Sequence, residues 1–144
     1  MKTLLTKIAI LILLIGSSTI LNAQSAQETH SISVSIENIK SNEGHVLISL
    51  HTRGTFMKGP GIQRKKSSIV NGKINVTFNN IKPGTYAVLA LHDLNDNNAM
   101  DFDSSGIPKE SYGASNNEMS FGPPIFNNAA FELSNQDIVL KIAF

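Results

Sequence analysis

The chain has 144 residues, a formal net charge of +1, no cysteine, no tryptophan and two tyrosines. Disulfide and thiolate chemistry are excluded, the charge balance argues against a nucleic-acid surface, and stacking platforms for sugars are scarce. The length suits one domain with its own core.

Met1 to Ala23 has the layout of a secretory signal peptide: Lys2 and Lys7 first, an apolar run from Ile8 to Ile15, then small polar residues up to Asn22-Ala23-Gln24. The run is shorter than the roughly 20 residues of a membrane span, so removal is expected, after Ala23 or alternatively Ala26. A chain without cysteine also has no lipid-modified N-terminus. Lys2 and Lys7 account for two of the twelve basic residues, which leaves ten against eleven acidic ones and a mature charge near −1. The expected product is exported, periplasmic or extracellular, with a polar leader from Gln24 to His30 and one domain from Ser31 to Phe144.

Ser31 to Glu37 alternates polar and apolar residues, the pattern of a half-buried strand. His45 to His51 is a second strand with Val46, Ile48 and Leu50 on one face, and the polar connection Asn38 to Gly44 predicts an antiparallel hairpin between the two. Thr52 to Ser68 reads as a loop punctuated by Gly54, Gly59, Pro60 and Gly61, in which Phe56 and Met57 tuck under the sheet edge and Arg64-Lys65-Lys66 is solvated. Asn71-Gly72 predicts a type I′ turn into Lys73 to Asn79, whose buried face is Ile74, Val76 and Phe78. After the turn at Pro83-Gly84, Thr85 to His92 is apolar on both faces, as in a central strand. The last strands are Ala129 to Leu133 and Ile138 to Phe144. Six or seven short strands without capped helical spacing predict an all-β fold: a single antiparallel β-sandwich, immunoglobulin-like or prealbumin-like, with one long structured loop.

That loop carries the chemistry. Asp93, Asn95, Asn97 and Asp101 occupy its first, third, fifth and ninth positions, and the Ala99 carbonyl the seventh, an arrangement that meets the need of calcium for six to eight oxygens. Asn98 replaces the sixth-position glycine, and Ser104 replaces the twelfth-position glutamate, for which Asp103 is the substitute. The reduced charge implies an affinity on the order of 0.1–1 mM. The alternative is a set of Asx turns bonded to themselves. A zinc or copper site from His45, His51, His92 and Asp93 is a further candidate. Against it stands a plainer reading: His92 ends its strand on a loop carbonyl, and His30, His45 and His51 are surface residues. Ser115 or Ser120 with His92 lacks the framing of a nucleophile. The domain is therefore read as non-enzymatic, the alternative being a small hydrolase with His92 as base and Glu110 as acid.

Three ordered stretches, GTYAVLALHDLNDNNAMD, GIPKESYGASNN and FGPPIFNNAAFEL, resemble the bacterial domain-of-unknown-function family numbered 2141, a group of small exported proteins. The family pattern falls on His92, Asp93, Asn95, Asn97 and Asp101, then on Gly106, Pro108, Glu110, Tyr112, Gly113, Ser115, Asn116 and Asn117. It continues on Phe121, Gly122, Pro123, Pro124, Phe126, Ala129 and Phe131. Asp96 and Asn98 stand where members commonly carry glycine. Their glycines, prolines and asparagines suit the second and third stretches to scaffold the first, the alternative being an elaborate cover of the sheet. The resemblance implies no activity; the expected cofactor is calcium and the expected partner an unidentified protein or glycan. Pro83-Gly84-Thr85-Tyr86-Ala87-Val88 also resembles a signature of prealbumin-like and collagen-adhesin B-type sandwich domains, which bind, space or present other parts of exported proteins.

Overall fold

A computed structural model of the chain describes residues 28–117 and 122–144. The signal segment, most of the leader, and Ser120 and Phe121 lie outside the described residues. The strands are β1 (His30–Ile36), β2 (His45–His51), β3 (Gln63–Ser67), β4 (Ile74–Ile81), β5 (Gly84–Asp93), β6 (Tyr112–Ala114), β7 (Phe131–Leu133) and β8 (Ile138–Ile142). They form two sheets, one ordered β4-β1-β8 and the other β3-β2-β5-β6, with β7 pairing the opposite end of β5 beside β6. This is the expected β-sandwich.

The alternation read from the sequence builds the core. Ile32, Val34 and Ile36 of β1 face Val46, Ile48 and Leu50 of β2 and Val88 of β5, all at most 1% exposed. Phe78 and Leu133, both fully buried, complete it. Burying each such side chain stabilises by about 1.5–3 kcal/mol before the entropy cost of ordering it. Asn71 and Gly72 both hold positive φ, as the type I′ turn requires, and Val70 bridges Lys73 across it. In β4 the pairing with β1 slips one residue near Asn80, itself at φ 59°, which marks a bulge.

Five expectations change. β1 and β2 are not a hairpin: β1 pairs with β4 and β8, and β2 with β3 and β5, so Asn38 to Gly44 crosses between the sheets. The β1–β8 pairing is parallel, so the sandwich is mixed rather than wholly antiparallel. Arg64-Lys65-Lys66 is an edge strand, because its backbone pairs with β2 while its charges keep the outer edge soluble. Ala129 closes a one-turn helix, Phe126–Ala129, and the strand begins only at Phe131. In the 52–62 connection Phe56 is buried as expected, whereas Met57 is 55% exposed.

Candidate ligand cleft and cation loop

β2 and β5 turn alternate residues outward, away from the core. On this face His45 stands opposite Asp93, Leu47 opposite Leu91, Ser49 opposite Leu89 and His51 opposite Ala87. The parity of His45 and His51 follows the alternation in the sequence, but they are not surface residues: they are 3% and 1% exposed. The segments after β2 and β5 fold back over this face.

Asp93 opens the loop. Fully buried, it accepts the N–H of Asn97 at 3.1 Å and of Asn98 at 2.8 Å. The Asn95 and Asn97 amides donate to the Asp101 carboxylate at 2.7 and 3.2 Å, and Ala99 N–H donates to Asn97 Oδ1 at 2.8 Å. Glu110, absent from the expected ligands, closes the ring: Oε1 accepts Leu94 N–H at 2.9 Å and Oε2 accepts Asp101 N–H at 3.1 Å. Asp96 and Asn98, the residues in the glycine positions, both have positive φ. Asp93, Asn95, Asn97 and Asp101 are thus brought together. Asp103 lies further on, where its Oδ1 accepts Ser105 and Ile107 N–H groups and organises the next turn.

The three histidines do not converge. His51 is six residues along β2 from His45, about 20 Å in extended chain, and His92 faces the other way, its Nε2 on the Glu43 carbonyl at 2.9 Å as the plainer reading expects. His45 instead lies between two carboxylates. Its Nδ1 contacts Asp96, and its Nε2 is 3.3 Å from Asp93 Oδ2 without a hydrogen bond, a buried nitrogen with no partner. One donor atom from each of His45, Asp93 and Asp96 falls within 4.8 Å of the others, close enough for one metal ion. Burial pushes the His45 imidazole below its ordinary value, and Lys66 adds to this.

Between the outward face and the returning segments is a cleft of about 760 Å³. Leu47, Ser49, His51, Leu89 and Leu91 form its floor. Met100, Phe102 and Pro108 wall one side, Met57 and Gly59 another, and Pro123 and Pro124 lie at the rim. His51 is fixed within this floor. Its Nδ1 is 2.9 Å from the Thr55 carbonyl, which only accepts, so Nδ1 carries the proton and Nε2 accepts the Ser49 hydroxyl at 2.8 Å. Burial lowers the His51 pKa and nearby Arg64 adds to this, against the opposing effect of the Thr55 bond.

The scaffold residues explain why the cover stays in place. Ser115 Oγ accepts Val88 N–H at 3.0 Å and donates to the Ala129 carbonyl, tying the crossing to β5 and the helix; it is not placed as a nucleophile. Asn116 and Asn117, in left-handed conformations, reach the carbonyls of Asn128, Ala130 and Lys141. Tyr112 and Gly113 lie in β6, and a Cβ on Gly113 would stand 2.3 Å from the Ala143 oxygen, so the close approach requires glycine. Gly106 has φ 78° in the Asp103 turn, Pro108 bridges Phe102, and Gly122 has φ 111°. Phe126 packs edge-on against Phe56, centroids 5.4 Å apart. Glu110 and His92 are each hydrogen-bonded to backbone partners, Glu110 to Leu94 and Asp101 N–H and His92 to the Glu43 carbonyl.

The family model described as uncharacterised proteins conserved in bacteria, DUF2141, matches residues 34–141. The chain belongs to the DUF2141 family. No curated protein and no solved structure matches it. In this DUF2141 domain the matched span runs from β1 to β8 and takes in the whole loop, the cleft and the Glu110 closure. The sequence signals for the floor were present in the outward parity of Leu47, Ser49 and His51, but only the returning segments convert that face into a cleft. Among the described residues no helix is long and apolar enough to cross a membrane.

Proposed function

We propose that this DUF2141 domain is an exported, non-enzymatic binding module that takes a small, largely apolar molecule into the cleft, with the Asp93 to Glu110 loop as a wall that calcium stiffens. The observation that carries the reading is the cleft itself: about 760 Å³, within the size range of small-molecule sites, floored by leucines and walled by Met100 and Phe102. Export rests on the Met1 to Ala23 segment. The direct test is binding of the uncharged fluorophore N-phenylnaphthylamine to the mature domain. Saturable enhancement that weakens about tenfold in Phe102→Ser supports the cleft; Phe102 is 55% exposed, so its loss leaves the core intact. No enhancement, or enhancement indifferent to the variant, overturns it.

Calcium suits the loop because every side-chain donor of Asp93, Asn95, Asn97 and Asp101 available to a cation is an oxygen, with the Ala99 carbonyl in reach of the same turn. One observation favours a second ion: the partnerless His45 Nε2 beside Asp93 suits zinc or another nitrogen-seeking metal. Thermal unfolding in calcium and in zinc, with and without His45→Ala, separates the two, since only the zinc response depends on the imidazole.

A further inference from the structure

We infer that the cleft selects an amphipathic organic anion, a molecule with an apolar body and a carboxylate or sulfonate head, and that Arg64 reads the head. The inference rests on the binding-module reading and adds the charge of the ligand to it.

The register across the sheet gives the argument. Arg64 of β3 pairs with Ser49 of β2, and Ser49 pairs with Leu89 of β5, so the three form one row across the outward face, with side chains about 5 Å apart from strand to strand. The cation therefore begins where the apolar floor ends. Ser49 gives its proton to His51 and turns only lone pairs to the row, so it supplies no donor for an anion and leaves that task to the guanidinium.

Two other cations near the outward face are committed. Lys66, two residues along on the same face of β3, lies 3.7 Å from Asp96. Arg53 stacks on the Phe126 ring at 4.7 Å and donates to Asn127 at 2.7 Å. Arg64 has no ion pair among the described residues, and no carboxylate of the described residues lines the cleft. An uncompensated guanidinium beside apolar walls binds an anion more strongly than a surface cation in open water does, because the walls exclude part of the screening solvent. Its flat fork also matches the two oxygens of a carboxylate. The apolar length of the floor, from Leu89 to Leu91, then takes the body of the molecule.

The test compares two probes that share one apolar skeleton: N-phenylnaphthylamine, which is neutral, and anilinonaphthalene sulfonate, which carries the anion. The expected result is tighter binding of the sulfonate by about tenfold, lost in Arg64→Gln while the neutral probe keeps its affinity. Lys66→Gln, which removes a charge from the same strand face, leaves both unchanged. Equal affinity for the two probes, or equal loss in Arg64→Gln and Lys66→Gln, overturns the assignment of the head to Arg64 but spares the cleft. Binding of neither probe overturns both readings. Decanoate competing with the sulfonate about tenfold better than decanol extends the result from sulfonates to carboxylates.

Discussion

Glu110 accepts the backbone N–H of Asp101 at 3.1 Å, and with its other oxygen that of Leu94, so one buried carboxylate holds both ends of the loop that Asp93 opens. Hydrogen bonds to a charged acceptor contribute about 1.5–3 kcal/mol each, and an orphaned buried N–H costs a similar amount. Glu110→Ala is expected to lower unfolding stability by about 2–4 kcal/mol and Glu110→Gln by about half of that. Urea denaturation checks both; a full loss in Glu110→Ala beside none in Glu110→Gln would show that volume rather than acceptor chemistry matters.

Calcium at about 5 mM is expected to stabilise the mature domain by roughly 1.4 kcal/mol, or about 5 °C, for a dissociation constant near 0.5 mM. Asp101→Asn is the cleaner variant for abolishing the response, because Asp101 lies on the open side of the loop while Asp93 is buried and holds two backbone N–H groups. An identical midpoint in calcium and in EDTA would remove the ion and leave the self-bonded turns.

The left-handed positions separate residues by backbone strain. Asn98→Ala is expected to cost about 1–2 kcal/mol, and Asn98→Gly close to nothing, since only the alanine is strained at φ 64°. Gly44→Ala should be far worse: at φ 66° its Cβ would lie 2.0 Å from the Asp93 carbonyl oxygen, and neither strand end can move away without breaking the β2–β5 pairing. Guanidinium melts of the three variants rank them.

Burial holds the His51 and His45 imidazoles below their ordinary value of 6.5. Just under that pH the unfolded chain takes up protons that the folded chain refuses, so this contribution is whole above about 6.5 and is lost as the pH falls towards the lower folded values. Urea midpoints in EDTA are expected to drop between about pH 7 and pH 5.5, and to drop less in His51→Gln, which has no titrating ring. A flat profile over this interval would count against the buried neutral imidazoles.

Much of the sandwich was legible because burial leaves a period of two: the bounds of β2 and the inward residues of β1, β2 and β4 follow from it. β3 was hidden because an edge strand bonded on one side needs no apolar alternation, and Gln63 to Ser67 has none. The false hairpin arose because a short polar connection looks the same whether it turns within a sheet or crosses to the other. Asp93, Asn95, Asn97 and Asp101 were found through their spacing, whereas the role of Glu110 depends on a backbone path nine residues beyond Asp101 that spacing does not reveal. The outward parity of His45 and His51 was right and their exposure wrong, since their cover comes from distant segments.

The parallel pairing of β1 with β8 joins Ile32–Ile36 to residues 138–142, more than a hundred positions away. A growing chain therefore carries β1 long before its second neighbour exists, and the three-stranded sheet can be completed only after residue 142 has left the ribosome. Until then Ile32, Val34 and Ile36 lack the strand that seals their outer flank, and closing so long a loop places folding among the slower small domains, on the order of milliseconds to seconds. In the proposed export such a delay would leave the chain loose during its passage across the membrane.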